Sequence, residues 1–185
     1  MKPKAFIFDF FGVMCPNISG NWNKKHSNEI SLEEQEMYLR DADSGRISEQ
    51  EAFTLLAKKI SQQGDTLRNE WISSAVVYQE MVNYIIELKK TSKVVVCSNA
   101  PKTFFYEVLK KNNIETLFDI VVVSEEVGLL KPDPKMFELV LKKLGMQKGE
   151  VIFFDDTKKN VEGAEKFGIK AIWFNSPNQI EPFTS

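Results

Sequence analysis

Cysteine and histidine are scarce in this chain, which has two cysteines and one histidine among 185 residues. Cys15 and Cys97 lie far apart and form neither a disulfide framework nor a zinc-binding pattern, so we interpret both as small buried apolar residues. The formal net charge of -2 provides no basic surface for nucleic acid. No Gly-rich phosphate loop of the Rossmann or P-loop type occurs, which disfavours nucleotide binding by those motifs.

Long apolar segments are missing as well. No apolar run approaches the roughly 18 to 20 residues that a membrane-spanning helix needs. Asp9 interrupts the apolar N-terminal segment, which also lacks a signal-peptide cleavage site. We therefore expect a cytoplasmic protein with no membrane partner. With 43% hydrophobic and 27% charged residues, the composition is that of one globular domain, with at most a modest insertion.

Five short runs have the nearly continuous apolar character of parallel strands that are covered on both faces. They are residues 4–10, 93–99, 119–125, 151–156 and 170–175. Helical segments separate the last four runs, at residues 101–112, 134–144 and 158–167. This alternation of strand and helix predicts an α/β fold with right-handed crossovers and an open parallel sheet.

The segment between the first two predicted strands has helical patterns and no convincing strand. The sequences SLEE at 31–34 and SEQE at 48–51 are capping boxes, which open helices. A single crossover helix needs far fewer residues than this segment contains. We therefore predict a small helical-bundle cap at residues 15–91, inserted into a core formed by residues 1–14 and 92–185.

Acidic residues follow two of the predicted strands. Asp9 ends the first strand, and Asp155 and Asp156 end the fourth. The carboxyl ends of parallel strands are where open sheets bind ligands. Three carboxylates at this edge would repel one another unless a cation lies between them, and oxygen-rich sites of this kind suit Mg²⁺.

Groups suited to a phosphoryl ligand follow the other strands. Ser98 and Asn99 end the second strand, and Lys131 follows the third. A hydroxyl, an ammonium and the backbone N–H groups near Pro101 would suit a phosphoryl group. Each residue alone has an ordinary explanation as a turn, cap or surface residue. Their joint order, each after a separate strand, favours a single site.

Four segments in this order resemble the motifs of the haloacid dehalogenase-like hydrolase superfamily, in the branch whose helical cap lies between the first and second motifs. They are DFFGV at 9–13, CSNA with Ser98, GLLKPDPKMF with Lys131, and FFDDTKKNVEGAEKFG at 153–168. The resemblance covers essentially the whole chain. It implies a Rossmann-like core and Mg²⁺-dependent hydrolysis of a small phosphorylated metabolite through an aspartyl-phosphate.

The resemblance also implies a role for each motif residue. Asp9 would be the nucleophile, and Lys131 would offset the negative charge on phosphate and nucleophile. Ser98, Asn99 and Lys131 would bind the substrate. The implied Mg²⁺ ligands are the side chains of Asp9, Asp155 and Asp156 and the backbone carbonyl of Phe11.

Phe11 is a departure from the motif. Phosphatases of this superfamily usually carry a second Asp at this position, which acts as general acid and then as general base. A positioned acid–base group contributes about 10²- to 10⁴-fold to the rate. We therefore expect a slow or specialised phosphatase that is least impaired with good leaving groups. His26 is a candidate replacement, although a solvated surface histidine is its ordinary interpretation.

Two other functions stay open at this point. One is a non-catalytic or regulatory binding protein. The other is a 2-haloacid dehalogenase, because halide leaves without a proton and the dehalogenases of this superfamily carry an aromatic residue where this chain has Phe11. The pair Asp155 and Asp156 favours the phosphatase, since two anions beside the nucleophile need a cation. The cap is expected to set substrate choice.

Overall fold

The computed structural model describes residues 3–184 and contains a five-stranded sheet. The strands are β1 (Ala5–Phe8), β2 (Lys93–Ser98), β3 (Ile120–Val123), β4 (Val151–Asp155) and β5 (Lys170–Trp173). All neighbours are parallel, in the order β3-β2-β1-β4-β5. The predicted strands and the Rossmann-like α/β fold are confirmed. Each strand is somewhat shorter than predicted, although flanking residues such as Asp9 and Phe174 still donate a backbone hydrogen bond to the neighbouring strand.

Helices connect the strands and fill the long segment before β2. The described residues contain α1 (Ile18–Lys25), α2 (Leu32–Asp43), α3 (Glu49–Lys59), α4 (Gly64–Ser74), α5 (Gln79–Leu88), α6 (Lys102–Lys111), α7 (Ser124–Val127), α8 (Pro134–Leu144) and α9 (Lys158–Phe167). Short 3₁₀ helices lie at Lys148–Glu150, Pro177–Gln179 and Glu181–Phe183. The three helices predicted between the last four strands are confirmed. None of the helices in residues 3–184 combines the length and apolar character needed to cross a membrane.

The central strand β1 is buried on both faces, which explains its uninterrupted apolar sequence. Phe6 and Phe8 belong to one buried cluster, which includes residues of α5 and α6. Ala5 and Ile7 belong to the second cluster, which includes residues of α8 and α9. Burial of each large apolar side chain contributes about 1.5–3 kcal/mol. This packing holds the end of β1, and therefore Asp9, at a defined point on the sheet edge.

The segment between β1 and β2 contains the five helices α1 to α5 and, within the described chain, no strand. As the capping boxes predict, Ser31 and Ser48 cap α2 and α3, each accepting a hydrogen bond from a backbone N–H over 3.1 Å. The backbone N–H of Tyr78 donates to the carbonyl of Met14 over 2.9 Å, so the chain returns to the start of the insertion just before α5. Helix α5 then packs against β2. The cap boundaries at residues 15 and 91 stay a prediction.

Candidate active site

Asp9 lies directly beyond β1 at the carboxyl edge of the sheet. Its backbone N–H still donates to the Phe154 carbonyl over 2.8 Å, which fixes the direction of its side chain. Its Oδ1 accepts hydrogen bonds from the Phe10 N–H at 2.7 Å and from the Lys131 ammonium at 2.8 Å. In the described chain no group donates to Oδ2, so this oxygen is available to a ligand. Burial, followed by the charge of Asp155, raises the pKa of Asp9 to about 7, although Lys131 opposes the shift.

The Lys131 ammonium is buried between two carboxylates, 2.8 Å from Asp9 Oδ1 and 2.7 Å from Asp155 Oδ2. Burial by itself lowers the pKa of Lys131, but the negative charges of Asp155 and Asp9 outweigh burial and raise that pKa above its usual range. The Asn99 amide holds the Lys131 main chain, accepting from its N–H at 2.9 Å and donating to its carbonyl at 3.0 Å. Asn99 thus positions Lys131, and a contact between Asn99 and substrate stays a prediction.

Asp155 ends β4 and is completely buried. Its Oδ1 accepts from the Thr157 N–H at 2.8 Å, and the Asn160 amide lies 3.1 Å from both of its oxygens. Together with Lys131, these donors surround the Asp155 carboxylate, which therefore orients Lys131 and the first turn of α9. Direct metal ligation by Asp155 would have to replace one of these bonds. The sequence analysis did not single out Asn160. This residue lies five positions after Asp155, on the helix that follows β4, and that spacing brings its side chain back to the Asp155 carboxylate.

Asp156 lies beside Asp155 but faces the inserted helices. Its Oδ2 accepts a hydrogen bond from the Asn17 amide over 2.9 Å. Burial raises the pKa of Asp156, and the hydrogen bond from Asn17 opposes that shift. Gly12 approaches the same carboxylate so closely that a Cβ at this position would lie 2.0 Å from Asp156 Oδ2. Gly12 also has a φ of 90°, which favours glycine. The Phe-Gly turn therefore makes room for Asp156.

The donor set fits a magnesium ion. Asp9, Asp155 and Asp156 each offer an oxygen within 4.8 Å of the others. Three carboxylates and the Lys131 ammonium leave a net charge of about -2 when all are ionised, which a divalent cation would neutralise. The Phe11 carbonyl accepts no hydrogen bond from the described chain, so it is also available as a ligand. Among the predicted ligands, Asp9, Asp156 and the Phe11 carbonyl accept fewer hydrogen bonds than Asp155.

Ser98 suits a phosphoryl oxygen. It ends β2, is completely buried, and within residues 3–184 its hydroxyl has no hydrogen-bond partner. A buried unpaired hydroxyl is costly unless a ligand satisfies it. The nearby backbone N–H groups are less available than the sequence predicts. The N–H of Ala100 donates to Ser124 Oγ at 3.0 Å, and the N–H of Lys102 donates to Glu125.

A cavity of about 820 Å³ opens onto Asp9 between the sheet edge and the inserted helices. Phe11 is half-buried in its wall and packs against Phe104, with ring centroids 5.8 Å apart. Arg46 also lines the cavity, as does Asp43, which the sequence analysis did not single out. His26 is not among the lining residues. It lies at the end of α1, with its ring 4.9 Å from that of Trp22.

Known proteins of several activities are similar to this chain. Drimenol cyclase drtB of Aspergillus calidoustus is 27% identical over 96% of this chain, but the chain spans only 35% of its length. The (S)-2-haloacid dehalogenase 2 of Pseudomonas sp. (strain CBS-3) is 24% identical over 96% of this chain and 86% of the dehalogenase. Curated relatives also include phosphatases, and the chain spans 53% and 87% of two of them.

The solved structures that resemble this one share its fold. One of them is the HAD family enzyme bt-2542 from Bacteroides thetaiotaomicron, whose structure is a complex with magnesium and inorganic phosphate. It superimposes with a TM-score of 0.73 at 20% identity, over 92% of this chain and 93% of that one. The sequence pattern of the family described as "Haloacid dehalogenase-like hydrolase" matches residues 7–174. That match covers most of the chain and all four motifs, so the chain belongs to the haloacid dehalogenase-like hydrolases.

Proposed function

We propose that this protein is a Mg²⁺-dependent phosphatase that hydrolyses a small phosphorylated metabolite through an aspartyl-phosphate on Asp9. The observation that carries the proposal is the cluster of three carboxylates, two of which hold one buried ammonium, together with the unpaired hydroxyl of Ser98 at the end of the neighbouring strand β2. The carboxylates suit a divalent cation, and the ammonium and hydroxyl suit phosphoryl oxygens. The presence of phosphatases among the relatives supports the same reaction.

Each group has a defined task in this reaction. Asp9 Oδ2 attacks phosphorus, because Oδ1 is already held by Phe10 and Lys131. Lys131 and the Ser98 hydroxyl hold the phosphoryl oxygens and offset their charge. Bound Mg²⁺, held by Asp9, Asp156 and the Phe11 carbonyl, with Asp155 completing the predicted set, would supply positive charge that keeps Asp9 ionised and stabilises the transferring group. The surrounding cavity excludes part of the bulk water from these contacts.

Dehalogenation is the second candidate function. Phe11 places an apolar side chain beside Asp9 in the cavity, and a haloacid dehalogenase is among the similar proteins. Displacement of halide from carbon needs no proton donor, so Phe11 is compatible with that reaction. Asp155 and Asp156 favour the phosphatase, since a metal-independent reaction gains nothing from two additional anions next to the nucleophile.

The test is hydrolysis of 4-nitrophenyl phosphate by the purified protein, with Mg²⁺ or with chelator, and by Asp9→Asn. We expect turnover that requires Mg²⁺ and is lost in Asp9→Asn, together with an acid-stable phosphorylated intermediate in the unmodified protein. Asp65→Asn is the matched control, because Asp65 is exposed on α4. Chelator-insensitive halide release from a 2-haloacid would favour the dehalogenase. Absence of both activities over a broad panel of phosphorylated metabolites would favour a binding or regulatory role.

A further inference from the structure

Four carboxylates line the cavity outside the Asp9 cluster in the described chain: Glu36, Asp43, Glu49 and Asp133. Glu49 is paired with Arg68 and accepts the N–H of Phe104. Asp133 caps α8, where it accepts the N–H of Lys135 at 2.9 Å. Glu36 is exposed to solvent on α2. Only Asp43 is both partly buried and, within residues 3–184, without a hydrogen bond or ion pair to its carboxylate.

The position of Asp43 is set by a direct link between the inserted helices and the sheet. Asp43 is the last residue of α2, and its backbone carbonyl accepts a hydrogen bond from Ser124 Oγ over 2.6 Å. Ser124 is completely buried at the end of β3 and also accepts the N–H of Ala100, two residues after Ser98. The Ser124 hydroxyl therefore ties the end of α2 to the loop that follows the predicted phosphate-binding serine.

The surroundings of Asp43 favour a protonated carboxyl group. Burial is the largest influence, followed by the negative charge of Asp9, while Lys131 opposes the shift and Glu125 adds to it. Together they raise the pKa of Asp43 to about 8. A carboxyl group that keeps its proton near neutral pH is suited to general acid catalysis. Phe11, in the usual acid–base position, has no proton to give.

We propose that Asp43, contributed by the inserted helices, is the general acid and base of the reaction, an inference that rests on the proposed phosphatase function. In the first step the bond between Asp9 Oδ2 and phosphorus forms, the ester P–O bond breaks, and the Asp43 carboxyl proton passes to the leaving alkoxide oxygen. In the second step water attacks phosphorus and gives a proton to the Asp43 carboxylate. The aspartyl P–O bond breaks, which releases inorganic phosphate and restores both residues.

The test compares an alkyl phosphate with 4-nitrophenyl phosphate in Asp43→Asn, which preserves size and removes the ionisable group. Turnover of the alkyl ester should fall about 10²- to 10⁴-fold, the usual contribution of an acid–base group. The first nitrophenolate burst should keep its rate, because this leaving group needs no proton, while steady-state turnover falls because water still needs a base. Glu33→Gln, which alters an exposed carboxylate on α2 that does not line the cavity, should leave all three rates unchanged.

Phe11→Asp in the Asp43→Asn background provides the rescue. An Asp at the usual position should raise alkyl ester turnover at least tenfold above that of Asp43→Asn alone. If Asp43→Asn only damaged the structure, the added Asp would not raise turnover. Equal loss of alkyl ester turnover and of the nitrophenolate burst rate, or no loss in Asp43→Asn, would overturn the role of Asp43 and leave the phosphatase intact. If the unmodified protein shows no Asp9-dependent turnover of either ester, the phosphatase function is overturned, and the role of Asp43 with it.

Discussion

The side-chain amide of Asn17 donates a hydrogen bond to Asp156 Oδ2 over 2.9 Å, between residues 139 positions apart. The same side chain caps α1, because its Oδ1 accepts the N–H of Gly20 at 2.9 Å. One residue therefore starts the first inserted helix and orients a carboxylate of the candidate metal site. The inserted helices and the acidic edge of the sheet are coupled through this contact.

Asn17→Asp should make the stability of the protein more dependent on Mg²⁺. The substitution keeps the acceptor that caps α1 but replaces the donor to Asp156 with a second negative charge. In chelator we expect a loss of about 1–3 kcal/mol of unfolding free energy, the usual cost of leaving a partly buried polar group without its partner. Thermal unfolding across a Mg²⁺ titration measures the effect. Asn17→Ser is the uncharged control, and an identical Mg²⁺ response in both variants would contradict the expectation.

Gly12→Ala should destabilise the fold and displace Asp156. The positive φ of Gly12 costs an ordinary residue about 1–3 kcal/mol, and the new Cβ would overlap the Asp156 carboxylate. We expect a lower midpoint in urea unfolding and weaker Mg²⁺ binding by calorimetry. Gly149→Ala is the control, since a Cβ there has no heavy atom within 4 Å and should change stability by less than about 0.5 kcal/mol. Unchanged Mg²⁺ affinity in Gly12→Ala would argue against Asp156 as a ligand.

Phe11→Asp should increase turnover of alkyl phosphates while it decreases stability. Loss of a fully buried phenylalanine side chain costs about 3–5 kcal/mol. Phe11 is only half-buried where it packs against Phe104, so we expect the cost to lie near or below the lower end of that range. The gain in rate should be smaller with Asp43 present than in Asp43→Asn, because only one acid–base group is needed. Phe11→Asn separates the two effects, since it has similar size but no proton to transfer. Equal alkyl ester turnover in the two Phe11 variants would contradict proton transfer at this position.

The stability of the metal-free protein should fall as pH rises from about 4 to 8. The pKa values of Asp9 and Asp43 are raised to about 7 and about 8, so in this window the folded state holds protons that the unfolded state has lost. Unfolding free energy then decreases with pH, by at most about 1.4 kcal/mol per pH unit for each such proton. Asp43→Asn should flatten the curve in urea unfolding with chelator, and Asp65→Asn should not. An unchanged slope in Asp43→Asn would contradict a raised pKa at this residue.

The alternation of apolar runs and helical segments determined the sheet and its three connecting helices. Each run is apolar at every position because both faces of the sheet are covered, and this pattern is readable along the chain. The contact of Lys131 with Asp9 and Asp155 also followed from the sequence, since the carboxyl ends of parallel strands meet at one edge. The same argument applies to Asn160, which could have been predicted because it lies on the helix that follows Asp155.

Only the tertiary structure decided what the inserted helices bring to this edge. Asn17 reaches Asp156, and Asp43 is tied to Ser124, across 139 and 81 residues of chain. Helical periodicity predicts that the inserted segment is helical, but not which end of a helix faces the sheet. That orientation depends on hydrogen bonds and packing between distant segments, which no local pattern records. Phe11 in the sequence shows that the usual acid–base group is missing, and the fold places Asp43 in the same cavity.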